Sequence, residues 1–170
     1  MQTLSTLKFS NQLLPSDIAG VSELHRKIYT TEYGYGESFM EYVDTTLDEF
    51  YSRYDPLKDK VWLCKSEEEL LGFLLLLHHD DQLVQLRYFV LSPQLRGRGI
   101  GNKWMNEFLD CMRERNYTRA FLYTSSELPA AAHLYKKAGF VLTESIPSER
   151  FGKPVVEQRY ELVSELSLKL

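Results

Sequence analysis

Five consecutive apolar residues, Phe73-Leu74-Leu75-Leu76-Leu77, lie within the segment Leu70 to His78. Successive side chains of a strand point to opposite faces, so a strand with no polar alternation must be covered on both sides. The run is far shorter than the ~20 residues a membrane helix needs. Lys60 to Lys65 and Gln82 to Leu91 read as its neighbours, and the short polar turns between the three favour an antiparallel meander. Such a sheet needs helices on each face. With 170 residues and 44% apolar content, the chain can build that core without disulfides or metals, and 1–170 reads as a single domain.

Helical periodicity supplies the covering layers. After a strand at Leu7 to Leu13, Pro15-Ser16-Asp17 marks a helix start, and Ile18, Val21, Leu24 and Ile28 recur at helical spacing. Tyr33-Gly34-Tyr35-Gly36 breaks it. Ser38 with Glu41 predicts a capping box, followed by the stripe Phe39, Val43, Leu47, Phe50, Tyr54, which Asp55-Pro56 ends. Ile100, Trp104, Phe108 and Met112 predict a third helix reaching Asn116, and Pro129 to Gly139 a fourth. Ala120 to Thr124, Phe140 to Leu142 and Val155 to Leu162 read as strands. The expected class is α/β (α+β), in the order β-α-α-β-β-β-α-β-α-β-β: about seven strands in a mixed, mostly antiparallel sheet flanked by four helices.

A net charge of −4 argues against bulk attraction to nucleic acid. Met1 to Phe9 has no continuous apolar core of a secretion signal, so a cytoplasmic protein without a membrane segment is expected. Cys64 and Cys111 sit in apolar-patterned segments without metal-ligand spacing, which suits buried reduced thiols.

The chemistry concentrates at Arg96-Gly97-Arg98-Gly99-Ile100-Gly101, between a buried strand and a helix. Glycines let backbone approach a ligand closely, and the free N–H groups of a helix start favour phosphate. Arg96, Arg98 and Lys103 add positive charge. Neither the dinucleotide spacing G-x-G-x-x-G nor the P-loop string G-x-x-x-x-G-K-[ST] is present.

These residues match [Q/R]-x-x-G-x-[G/A], the acetyl-CoA motif of the GCN5-related N-acetyltransferases. A late L-Y-x-x-x-G-F element of that family is present as Leu134-Tyr135-Lys136-Lys137-Ala138-Gly139-Phe140. The chain resembles this family over essentially its whole length. More narrowly, Glu32-Tyr33-Gly34, Tyr54-Asp55-Pro56, Leu86-Arg87-Tyr88-Phe89, Thr124 to Leu128 and Glu157 to Leu162 are similar to the acetyltransferase half of fusions with a winged-helix regulator, of which this would be a stand-alone version.

The resemblance implies transfer of an acetyl group from acetyl-CoA, without a metal, to a primary amine by direct attack in a ternary complex. Phe89, Val90 and Leu91 would line the pantetheine arm, and the N–H groups from Gly97 through Arg98, Gly99, Ile100 and Gly101 to Asn102 would hold the pyrophosphate beside Arg96. Tyr135 corresponds to the general acid that protonates the departing CoA thiolate. Where many relatives carry Asn seven positions before this tyrosine, Leu128 stands here, leaving that contact to Ser125 or Ser126. Glu32 and Tyr33 are the candidates for base and acceptor wall, and Gln85 and Arg87 for further acceptor contacts. His78, His79 and His133 read as bland histidines. The acceptor is left open between a protein amine and a small molecule, and the assembly between monomer and homodimer.

Seven acidic residues between Glu32 and Asp55 against Arg53 alone suggest either a solvated helix face or a field that draws a cationic amine. A different class of reading also stands: a catalytically silent sensor or partner-binding module of the same fold.

Overall fold

Residues 6–163 are described by a computed structural model. The strands are β1 (Leu7–Ser10), β2 (Lys60–Ser66), β3 (Glu69–His78), β4 (Leu83–Leu91), β5 (Arg119–Ser125), β6 (Val141–Ser148) and β7 (Val155–Val163). They form one sheet in the order β1-β2-β3-β4-β5-β7-β6. All neighbours pair antiparallel except β4 with β5, which are parallel. The main helices are α1 (Pro15–His25), α2 (Glu37–Arg53), α3 (Ile100–Glu114) and α4 (Pro129–Ala138). This is the mixed, mostly antiparallel α/β architecture expected from the sequence.

Strand β3 divides the core in two, as its unbroken apolar run requires. Phe73, Leu75 and Leu77 pack with Val21, Leu24, Val43, Leu47 and Phe50 from α1 and α2. Leu74 and Leu76 face the other way, against Trp104, Phe108 and Met112 of α3 and Tyr135 of α4. Cys64 and Cys111 are free and buried, and burial pushes both thiols up.

The differences from sequence expectation are local. Strand β1 stops at Ser10 rather than Leu13, where the Asn11 side chain donates to the Val61 carbonyl at 2.9 Å. The expected capping box does not form: α2 starts at Glu37 behind Gly36, and the Ser38 hydroxyl instead donates to the Arg150 carbonyl at 2.7 Å. Between α1 and α2 the chain passes through a π-helical turn, Arg26–Thr30, and one α-turn, Thr31–Tyr33, before Gly34 breaks it with φ +71°. Strand β6 runs to Ser148, well past the expected Leu142. As an exposed edge strand it carries no apolar alternation to read and tolerates Pro147.

Candidate active site

Strands β4 and β5 pair at only three positions, Leu83–Arg119, Val84–Ala120 and Gln85–Phe121. Beyond Gln85 they diverge, because the pairing of β4 with β3 shifts register between Phe73 and Leu75. At that shift Tyr88 adopts φ +54°, a left-handed conformation that costs a non-glycine residue ~1–2 kcal/mol. Its surroundings hold it there: the hydroxyl donates to Thr46 Oγ1 at 2.6 Å, and the ring meets His25 and Phe73.

The splay leaves two cavities. One, of about 370 Å³, has Phe89, Val90, Leu91 and Arg96 on one wall and Ala131 and Leu134 of α4 on the other. The second, of about 150 Å³, lies under α1 and α2 and includes His25, Tyr42, Gln85 and Arg87. Tyr29, Phe89, Leu128, Ala131 and Tyr135 line both, so the cavities abut at a shared wall.

The larger cavity reaches Arg96, the first residue of the glycine-rich turn, while residues 97–102 lie beyond its lining. Gly97 and Gly99 have φ of +76° and +77°, and a Cβ at either would meet nothing within 4 Å. Both glycines are therefore needed for backbone conformation rather than for space. Among the described residues, the N–H groups of residues 97–102 donate to no protein acceptor. Six free amides around the start of α3 form a concentrated donor site for a diphosphate. Arg96 stands beside them, its Nε donating to the Leu91 carbonyl at 3.2 Å and its Nη1 paired with Glu32 at 3.1 Å. Asn102 accepts from Lys137 at 3.4 Å, and Ile100 is buried as the first core residue of α3. The donors and the apolar channel fit an acyl-CoA: amides for the diphosphate, and β4 with α4 for its arm.

Tyr135 is 6% exposed, its ring flanked by Phe140 and Tyr160. Burial, with smaller contributions from Tyr29 and Tyr160, raises its phenol above the ordinary 10, so it stays protonated. No described side chain accepts its proton.

Of the other sequence candidates, Gln85 and Arg87 line the smaller cavity, while Tyr33 lines the larger one. Glu32 borders neither; its carboxylate is held by Arg96. None of the seven acidic residues between Glu32 and Asp55 lines either cavity. Leu128 fills the shared wall, and Ser125 lines the smaller cavity.

Sequence reasoning missed His25. Its position between Val21 and Ile28 on the buried stripe of α1, a polar residue on an apolar face, was the available signal. Its Nδ1 lies 2.8 Å from the Val21 carbonyl, which fixes the proton there and leaves Nε2 as acceptor. Burial pushes the imidazole down to about 4, with Arg87 adding to the depression and the Val21 bond and Asp44 opposing it. The unfolded chain takes up this proton near 6.5 and the folded chain only near 4, so the stability present above pH 6.5 is lost as pH falls between those values. The loss is on the order of 3 kcal/mol. Urea unfolding at pH 7 and pH 4.5 should therefore show a shallower acid decline for His25→Gln than for the unsubstituted chain. Equal declines would mean that His25 is already charged in the fold.

Also missed were Arg150 and Phe151, at the tip of the β6–β7 hairpin. Phe151 packs on Phe39 and Tyr42, and its carbonyl accepts from Gly36 at 2.8 Å. A Cβ on Gly152 would stand 3.1 Å from the Gly36 Cα, so glycine is needed for this close approach. Lys153 completes the pinning, donating to the Tyr33 carbonyl at 2.6 Å and pairing with Glu127 at 2.7 Å.

A sheet parted at β4–β5, with a helix-start anion cradle at one end of the gap, defines a CoA-dependent acyltransferase. Comparison with known proteins agrees. Residues 20–140 match the model of the acetyltransferase (GNAT) family, and the chain belongs to that family. It is an N-acetyltransferase with acetyl-CoA as co-substrate. The uncharacterized N-acetyltransferase YjgM of Escherichia coli K12 is 26% identical over 133 residues, covering 76% of this chain and 79% of that protein. The spermidine N(1)-acetyltransferase of Vibrio cholerae is 21% identical over 161 residues, covering 88% and 86%. Among solved structures, the acetyltransferase yncA of Salmonella typhimurium with acetyl-CoA superposes with TM-score 0.66 at 16% identity, covering 92% of this chain and 93% of that one. That last likeness concerns the fold. Among the described residues, no group of three or more His, Cys, Asp or Glu is placed to hold a metal, and no helix is long and apolar enough to cross a membrane.

Proposed function

We propose that this chain acetylates a primary amine by direct attack, with both substrates bound at once and Tyr135 as general acid. The observation that carries the reading is the wall shared by the two cavities, which includes Tyr135. The amides of residues 97–102, with Arg96 and Arg98, hold the diphosphate. Phe89, Val90 and Leu91 line the arm, and the acceptor occupies the smaller cavity. Acetyl-CoA supplies an activated thioester whose thiolate leaves, and the Tyr135 hydroxyl donates to that sulfur. Glu32, engaged by Arg96, acts here on the cradle rather than as base. The proton of the amine passes through the polar lining of the acceptor cavity to solvent, since burial keeps His25 neutral down to about pH 4 and so a poor base.

The test is CoA release, followed with a thiol reagent, across a panel of amines, amino acids and N-terminal peptides. Thermal shift is run in parallel. Acetyl-CoA at a hundredfold excess over Kd is expected to stabilise the protein by about 2.7 kcal/mol, with no such effect from NAD or ATP. At least one amine should then give steady CoA release. Stabilisation without release on any amine would favour the sensor reading instead.

A further inference from the structure

The acceptor cavity carries a charge pattern that narrows the substrate class. Among the described residues Glu157 is the only carboxylate in its lining, and Arg150 already occupies it, with Nε 3.1 and 3.0 Å from the two oxygens and Nη2 2.6 Å from Oε1. Arg87 has no such partner. Among the described residues its one hydrogen bond runs from Nη2 to the Tyr42 hydroxyl at 3.0 Å, and no carboxylate lies within ion-pair distance. Its guanidinium sits 4.8 Å from the Tyr88 ring centre and 5.7 Å from that of Tyr42. Arg150 approaches the same Tyr42 ring at 5.2 Å. With Arg150 and Glu157 neutralising each other, Arg87 is the one unpaired charge among the described residues that line the cavity.

From this arrangement we infer that the acceptor is a small amine carrying its own anionic group, an amino acid being the simplest case, with Arg87 as the anchor for that group. A guanidinium presents several donors in a planar fork suited to a carboxylate, and within a partly enclosed aromatic cavity such a pair is strong. A polyamine fits poorly, because it would need free carboxylates and would meet Arg87 over the ring faces of Tyr42 and Tyr88. A long peptide fits poorly too. The hairpin tip at Phe151 is pinned against the α1–α2 turn, and the space is about 150 Å³.

The inference rests on the acetyltransferase reading above, and its test separates the two. CoA release is measured for L-phenylalanine against phenethylamine, which differ only in the carboxylate, and for spermidine. Binding of the same compounds in the presence of CoA is followed by calorimetry. The amino acid should have the highest kcat/KM of the three. Arg87→Met should reduce its advantage over the decarboxylated amine by about tenfold to a hundredfold, and Arg87→Lys by less. The melting temperature of Arg87→Met and its Kd for acetyl-CoA are measured alongside and should match those of the unsubstituted chain, because Arg87 does not line the larger cavity. Preference for spermidine or phenethylamine by the unsubstituted enzyme, or an unchanged ratio in Arg87→Met, overturns the inference and leaves the acetyltransferase reading standing. Arg87-dependent binding of the amino acid without any turnover supports the inference and overturns the catalytic reading. Failure of the amino acid to bind at all overturns the inference.

Discussion

Tyr135→Phe is expected to lower kcat at least tenfold, within the ~10²–10⁴ range of a positioned general acid, while the Kd for acetyl-CoA stays nearly constant. The substitution removes one oxygen and keeps the ring, whose contacts with Phe140 and Tyr160 are at the ring itself. The acid must be protonated, and burial ensures this by raising the phenol above its ordinary value. In water, transfer from a phenol near 10 to a thiolate near 8.5 is uphill by about 2 kcal/mol. Burial makes the phenol a weaker acid still, but a cavity that disfavours phenolate also disfavours an unsolvated thiolate, which offsets that rise. A donor already in place as charge develops on sulfur then stabilises the transition state more than the ground state. Comparing kcat with the Kd from calorimetry separates this from a packing defect. Unchanged kcat would remove Tyr135 from the chemistry.

The second large effect is expected at the cradle. The double substitution Gly97→Ala with Gly99→Ala should raise the Kd for acetyl-CoA by about tenfold to several hundredfold. No atom blocks the added methyl groups, since neither Cβ meets anything within 4 Å. The penalty comes from φ of +76° and +77°, which costs an L-residue ~1–2 kcal/mol at each position. The turn can relieve that strain by rotating its amides away from the position a diphosphate needs, and the cost then falls on binding. Because Gly97 and Gly99 lie outside both core clusters, the melting temperature of the ligand-free protein should move by only a few degrees. An unchanged Kd would mean that the amides of residues 97–102 do not hold the diphosphate.

Much of the fold was legible because its determinants are local. The unbroken run at Phe73–Leu77 announced a strand covered on both faces, and the stripes of α1, α2 and α3 announced what covers it. The cradle was legible for the same reason: glycines that permit positive φ and a helix start are properties of a few adjacent residues. Capping failed as a guide at Ser38, because the carbonyl its hydroxyl bonds belongs to Arg150, 112 residues away. The length of β6 failed because an exposed edge strand has no buried face to impose a pattern.

The smaller cavity, proposed above as the acceptor site, was the least legible part. His25 lines it only because α1 lies across β4. Arg150 and Phe151 reach it on a hairpin tip closed by Gly36 and Gly152. Glu32 offered a carboxylate of the right type, and Arg96, 64 residues later in the chain, engaged it.

Sequence alone determined the layered sheet and the glycine turn that opens α3, and its motifs pointed to the acetyltransferase family. The first two follow from side-chain period and from a short string whose backbone needs are intrinsic, whereas the family rests on resemblance to known motifs. Tertiary structure decided how far β4 and β5 part, which walls the two cavities share, and which charges remain unpaired inside them. Those outcomes depend on contacts between residues far apart in the chain. A charge left over in a cavity is known only after every other charge has found its partner.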